Sequence, residues 1–207
     1  GFLSALEDSG CATAEQGWMP YHLVVRGADG KLDACTPLYV KGHSYGEYIF
    51  DWGWADAAQR AGIQYYPKLQ CAVPFTPATG PRLLIRDGAD HPQMQRLLIA
   101  GMIQVAQELK LSSLHITFPT EDEWEQFGKF GLLQRVGQQF HWENRGYQCF
   151  DDFLGDLSSR KRKSIRRERR DAERHDLTIR TLTGDDLKPH HWDAFYKFYL
   201  ATIDKKW

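Results

Sequence analysis

Between residues 158 and 174 the chain reads SSRKRKSIRRERRDAER, which holds nine of its 26 Lys and Arg, opposed locally only by Glu168, Asp171 and Glu173. Cations at that density bind phosphate or carboxylate oxygens, and the planar arginine fork engages two such oxygens at once. Winding the stretch as a helix at about 100° per residue places Arg160, Arg162, Lys163, Arg166, Arg167, Arg169, Arg170 and Arg174 within one half-turn. Ile165 and Ala172 are left opposite. Such a helix rests on a domain through Ile165 and Ala172 and presents its guanidiniums outward. The competing reading is a solvated helix laced by i,i+4 pairs, but Ser164 and Ile165 interrupt those pairs and crowded like charge costs stability. Anion recognition is the stronger reading.

Other chemistries find little support. QRAGIQ, residues 59–64, partly matches the Q/R-x-x-G-x-G/A pattern by which acyl-CoA transferases bind pyrophosphate through backbone N–H groups. Gln64 stands where the last small residue belongs, and Tyr65, Tyr66 and Pro67 follow in place of a helix. A helix cap at Gly62 is therefore preferred. No GxxxxGK[ST] or GxGxxG occurs, which argues against nucleotide hydrolysis and dinucleotide redox. His190 and His191 are adjacent on a helix and point about 100° apart, so they do not chelate a metal together. His115 lies in a strand and His141 beside Trp142; each reads first as a hydrogen-bonded structural histidine. Ser158 and Ser159 suit an N-cap, and there is no G-x-S-x-G elbow.

These residues must be positioned by a chain of 207 residues, enough for one large domain or one domain and part of another. With 42% hydrophobic and 13% aromatic residues it is far from the composition of disordered chains. The net charge is −1, so the basic stretch at +6 leaves about −7 elsewhere. The molecule is polarised rather than basic. No run approaches the 18 or so apolar residues of a spanning helix, and GFLSALEDSGC lacks the regions of a signal peptide. Cys11, Cys35, Cys71 and Cys149 are scattered without a CxxC. Four free thiols and no leader predict the cytoplasm. The chain begins with Gly and stops at Trp207 after a strongly patterned helix, which reads as a fragment.

Residues 18–26 and 31–40 flank Ala28-Asp29-Gly30 and predict a β-hairpin. Residues 45–66 carry many aromatics; Tyr48, Phe50, Trp52 and Trp54 alternate like a strand, whereas Trp52, Ala55 and Ala58 continue equally well as a helix. They read as core packing before they read as a pocket wall. Residues 71–76 predict a short buried strand, followed after Gly80-Pro81 by a second extended piece. Met94, Leu97, Leu98, Met102, Val105, Ala106 and Leu109 recur at helical spacing over 92–110. A strand over 112–119, a helix after the N-cap Thr120 and a strand at 137–144 follow, giving a mixed α/β layer. Beyond them come FDDFLGDL, the basic helix, a strand over 177–182 and a helix near 186–203. That last helix aligns Trp192, Phe195, Tyr196, Tyr199, Leu200 and Ile203 on one face.

Several of these segments line up with one family pattern. AGIQYYPKLQCAVPFTPATGPRLLI, a long helix and then LHITFP resembles the first half of the Fem-type aminoacyltransferases, and FDDFLGDLSSRKRKSIRRERRDAERHDLTI is similar to the stretch joining their two halves. YYPKLQ, PFTP-x-TGPR and SRKRK-x-IR are shared with a Fem-related group of bacterial proteins labelled peptidoglycan-biosynthesis N-acyltransferases. The resemblance covers nearly the whole chain. It implies an α/β (α+β) GNAT-like acyl-CoA N-acyltransferase fold, a mixed central sheet flanked by helices, as part of a tandem two-copy protein. The first copy would occupy 1–155, a basic connecting helix 156–176 and the start of a second copy 177–207.

The activity so implied is transfer of an acyl or aminoacyl group, from acyl-CoA or aminoacyl-tRNA, to an amine acceptor, with no metal. The amine must be neutral to attack, a donor must stabilise the oxyanion, and a carboxylate or histidine can take the proton. Asp51, Glu47 and His141 are the candidate bases. Arg160, Lys163, Arg166, Arg167 and Arg170 are the candidates for the anionic part of a substrate, with Lys68, Gly80 and Arg82 near the Gly-Pro turn as second choices. Two other readings stay open: a non-catalytic RNA-binding module using the basic face, and a docking arm for an acidic protein or anionic membrane surface.

Overall fold

The predicted hairpin over 18–40 forms, but Pro20 and Pro37 divide its arms. After helix α1 (Phe2–Asp8) the outgoing arm gives β1 (Trp18–Pro20) and β2 (Leu23–Arg26), and the returning arm gives β3 (Leu32–Thr36) and β4 (Leu38–Lys41). Proline has no N–H for a ladder, so β2–β3 and β1–β4 pair antiparallel in separate sheets. The aromatic stretch resolves into an irregular loop and then α2 (Trp52–Arg60). Next come β5 (Lys68–Cys71), β6 (Leu84–Ile85), α3 (His91–Glu108), β7 (Leu114–Ile116) and α4 (Glu121–Lys129). The chain continues through α5 (Phe150–Asp156), α6 (Ser159–Glu173), a 3-10 turn at Gly184–Asp186 and α7 (Pro189–Lys206). The computed structural model describes residues 1–174 and 178–206. They divide into two compact units, 1–138 and 139–207.

In the first unit one sheet runs β1-β4-β5-β7, antiparallel except for the parallel pair β5–β7; the other runs β2-β3-β6 and is antiparallel. This is a mixed α/β architecture in which α3 makes the crossover that parallel β5 and β7 require. Asp90 caps α3 by accepting from Gln93 N–H, and a capping box between Thr120 and Glu123 starts α4. Met94, Leu98, Ile99 and Met102 of α3 are buried against Leu38, Leu69, Cys71, Leu83 and Phe127. Leu97 and Leu109, expected on that face, are exposed.

Every residue of β5 is buried, and the two-residue period of a strand sorts them. Leu69 and Cys71 belong to the apolar core. Lys68 and Gln70 take the other face, beside Lys41 and Tyr39 of β4 and, opposite Gln70, His115 of β7.

Three expected strands differ. The run 71–76 ends its pairing at Cys71, because Pro74 has no N–H and Phe75 takes a left-handed backbone at φ 57°. Residues 137–144 form no strand; at their end Asn144 Oδ1 accepts from the N–H groups of Gly146 and Tyr147 and makes a turn. Of the run 177–182, Leu177 lies outside the described residues and 178–182 form no strand.

In the second unit α5 and α6 make a short helical hairpin. Arg162 fixes it by donating from Nε to Leu154 O and from Nη2 to Gly155 O and Leu157 O, at 2.8–2.9 Å. These are the carbonyls that a helix C-terminus leaves unpaired. Ile165 is half-buried as expected, whereas Ala172 is exposed, so α6 rests on its N-terminal half. The aromatic face of α7 is exposed. No helix among the described residues is long and apolar enough to cross a membrane.

Candidate functional site

Lys68 lies directly opposite Lys41 in the β4–β5 register. Like charges so placed repel, and both side chains are fully buried. The loop between β4 and α2 supplies the compensation as Glu47 and Asp51, themselves buried. Lys68 Nζ donates to Glu47 Oε2 at 2.7 Å, Asp51 Oδ2 at 2.5 Å and His115 Nδ1 at 3.3 Å. An ammonium has three protons, and all three are used. Asp51 also accepts from the hydroxyls of Tyr65 at 2.9 Å and Tyr66 at 2.8 Å. Lys41 Nζ donates to the Tyr45 carbonyl at 3.1 Å, lies 4.0 Å from Glu47 Oε1 and covers the Trp18 ring at 3.5 Å from its centroid.

Burial and pairing act on these groups in opposite directions. Burial alone would raise the Asp51 carboxyl, but hydrogen bonds from Lys68 and Tyr66 outweigh it and hold the group at about 2. Burial pushes Glu47 up against the pull of Lys68, and pushes the Lys41 ammonium down to about 7 against the pull of Glu47. Both members of the Lys41–Glu47 pair are thus driven toward their neutral forms. Tyr66 is raised to about 12, first by burial. Burial, reinforced by the Lys68 charge, lowers His115 to about 4.

His115 is therefore a neutral imidazole at physiological pH. Its Nδ1 accepts from Lys68, so the ring proton sits on Nε2, which donates to Ser113 Oγ at 3.0 Å. Unlike Glu47, Asp51 and Lys68, its side chain is 28% exposed. A group that is neutral, oriented and reachable can donate a hydrogen bond to a polarised carbonyl.

Three bulky residues nearby in sequence to these elements adopt left-handed backbone: Tyr48 (φ 58°), Phe75 (φ 57°) and Phe118 (φ 52°). Such strain persists only where the surroundings over-determine it, commonly at ligand sites. Phe75 N–H donates to Gly46 O at 3.0 Å. A Cβ on Gly46 would lie 2.7 Å from the Phe75 ring, so only glycine permits this approach.

The expected site residues separate into three groups. Glu47, Asp51 and Lys68 come together, but as a buried cluster in which both carboxylates hold Lys68; neither carboxylate is open to an incoming amine. Gly80 and Arg82 form a loop clamp. The Arg82 guanidinium donates to the carbonyls of Ala78, Gly80, Pro81 and Thr117, and the Glu123 carboxylate accepts the main-chain N–H groups of Arg82 and Leu83. Gly80 N–H donates to Phe118 O. His141 is exposed in the irregular stretch of the second unit. His115, expected from sequence to be a hydrogen-bonded structural histidine, has no spacing partner in the chain; its one sequence signal is its place in LHI, beside a strand that alternates Lys and Gln with apolar residues.

The QRAGIQ segment is a helix C-terminus. Gly62, at φ +71°, follows α2, and the N–H groups of Ala61, Gly62 and Ile63 bond back to the helix carbonyls. Those donors are occupied and the helix dipole there is negative, so the segment does not cradle phosphate.

In the second unit Arg160, Lys163, Arg166, Arg167 and Arg170, the expected anion contacts, all line one groove of about 1030 Å³ between α5 and α6. Here helical winding alone placed the side chains correctly.

A family model described as FemAB-like, peptidoglycan biosynthesis/recognition, matches residues 1–207. No curated protein and no solved structure matches the chain.

Proposed function

The chain belongs to the FemAB-like family of peptidoglycan biosynthesis and recognition, and from that premise we propose that it is an N-acyltransferase with a GNAT-like first unit. It moves an acyl or aminoacyl group from acyl-CoA or aminoacyl-tRNA to the amine of a cell-wall precursor in the cytoplasm, and residues 177–207 begin a second copy of the fold. The attacking nitrogen bonds the donor's carbonyl carbon and the carbon–sulfur or carbon–oxygen bond breaks. The leaving thiol or hydroxyl keeps the proton that the amine gives up.

Such a reaction needs a donor poised where negative charge develops on the carbonyl oxygen. His115 carries this reading: held neutral, its Nδ1 fixed by Lys68, it has on a partly exposed ring an Nε2–H that can exchange Ser113 for the substrate oxygen. Glu47 and Asp51 position Lys68, which positions the imidazole. The left-handed residues Tyr48, Phe75 and Phe118 support a ligand site in the same unit.

The test is transfer of a radiolabelled acyl or aminoacyl group to amine-bearing precursors. Losing one oxyanion donor costs roughly 100-fold or more in kcat, so His115→Ala should lose that much at similar KM, and His115→Gln, which keeps an N–H, should lose less. Native protein inactive with every donor, or His115→Ala as active as native, overturns the reading.

A further inference from the structure

The groove between α5 and α6 carries more positive charge than its own fold can use. Six cations line it against two acids, Asp151 and Glu173. Two of the six are engaged: Arg166 Nη2 lies 3.3 Å from Asp151 Oδ1, and the Arg169 guanidinium stacks 4.5 Å from the Phe150 ring centroid. The other four, Arg160, Lys163, Arg167 and Arg170, make no ion pair among the described residues. They follow one another at i, i+3, i+7 and i+10, a single stripe about 15 Å long at 1.5 Å per residue.

Two of the three acids of α6 are engaged elsewhere. Glu168 accepts from Ser164 Oγ at 2.9 Å and Asp171 pairs with Arg174 at 3.3 Å. The stripe is not needed to hold the hairpin, since Arg162 does that through the α5 carbonyls. Four like charges along one helix face cost stability, and no ion pair among the described residues compensates them. Beside the stripe the groove has an apolar side, the half-exposed Phe150 over the buried Leu154.

We propose that this groove binds a small-molecule diphosphate ester, its phosphates held by Arg160, Lys163, Arg167 and Arg170 and its organic part lying against the exposed part of Phe150. Arginine forks match phosphate oxygens two at a time, and a groove of about 1030 Å³ is of the size that holds a small ligand. A single-stranded nucleic acid fits less well. Platforms for it stack successive bases on several aromatic rings, whereas this groove is lined by a single one, Phe150. The site stands on the groove alone and is independent of the transfer reaction.

Isothermal titration of the 207-residue chain with pyrophosphate, ADP, orthophosphate and a single-stranded RNA octamer tests the assignment. Pyrophosphate should bind more tightly than orthophosphate, and ADP more tightly than pyrophosphate. Each lost charge-assisted contact weakens binding by about tenfold or more, so Arg167→Gln/Arg170→Gln should weaken both diphosphates at least that much with helix content unchanged. Arg160→Gln/Lys163→Gln is the second pair, and the same loss is expected from it. The assignment is overturned if neither diphosphate binds, if neither double variant weakens binding, or if the RNA octamer binds more tightly than ADP.

Discussion

Lys68 Nζ lies 2.5 Å from Asp51 Oδ2 while facing Lys41 across the β4–β5 ladder. The contact joins a strand to the loop before α2, and so ties the aromatic stretch 45–51 onto the buried polar side of the sheet. Breaking a buried pair leaves the surviving charge without compensation and costs about 3–5 kcal/mol. Lys68→Met and Asp51→Asn should each destabilise the first unit on that scale in urea unfolding. The double variant should lose less than the sum of the two; additive losses would show that the contact is not coupled.

Glu123 anchors the loop after β5 from the start of α4. Its carboxylate accepts the N–H groups of Arg82 and Leu83 at 2.8–2.9 Å. Glu123→Ala strands two buried donors, each costing about 1–3 kcal/mol, and Glu123→Gln keeps an acceptor and should lose less. Thermal unfolding of the two variants separates them; equal losses would mean that the helix cap, not the loop, is what Glu123 holds.

His115 gives stability a definite pH dependence. Its folded value, about 4, lies below the ordinary 6.5, so between those values the unfolded chain binds a proton that the folded chain does not. Stability therefore rises with pH across that window and falls as pH drops from 6.5 toward 4. Asp51, held at about 2, adds its own loss only below 3.8. In His115→Gln the slope of unfolding free energy between pH 4.5 and 6 should flatten by roughly one proton's worth; an unchanged slope would assign it to other groups.

Arg162 should matter to structure more than to ligand. Arg162→Ala removes three hydrogen bonds to the end of α5, where bonds from a charged group are worth about 1.5–3 kcal/mol each at most. Amide exchange in α5 and in the first turns of α6 should speed up. Arg160→Gln, exposed and without an ion pair, should leave exchange at native rates.

Much of the local structure was legible in the chain. Met94, Leu98 and Met102 mark the buried stripe of α3, Thr120 marks the start of α4, and the cations of residues 160–170 wind onto one side of α6, because each depends on the fixed periodicity or capping chemistry of a helix. The errors fell where structure depends on a partner far along the chain. Residues 137–144 alternate well enough for a strand and form none. The surroundings of Lys68 and Arg82 depend on distance in the same way, since Asp51 and Thr117, which accept from them, lie 17 and 35 residues away.

The family, the α/β class and the basic face of α6 follow from sequence, since they rest on local motif, periodicity and charge. Tertiary structure decided what sits on the two sides of β5. Pairing Lys41 with Lys68 and Gln70 with His115 put three polar side chains in the interior with His115 at their edge, and folding Glu47 and Asp51 over the lysines made burial tolerable. That same closure bound the carboxylates that had looked like bases and left His115 oriented, neutral and partly exposed. Coulomb and desolvation energies depend on distance and burial through space, and neither is encoded in the spacing of residues along the chain.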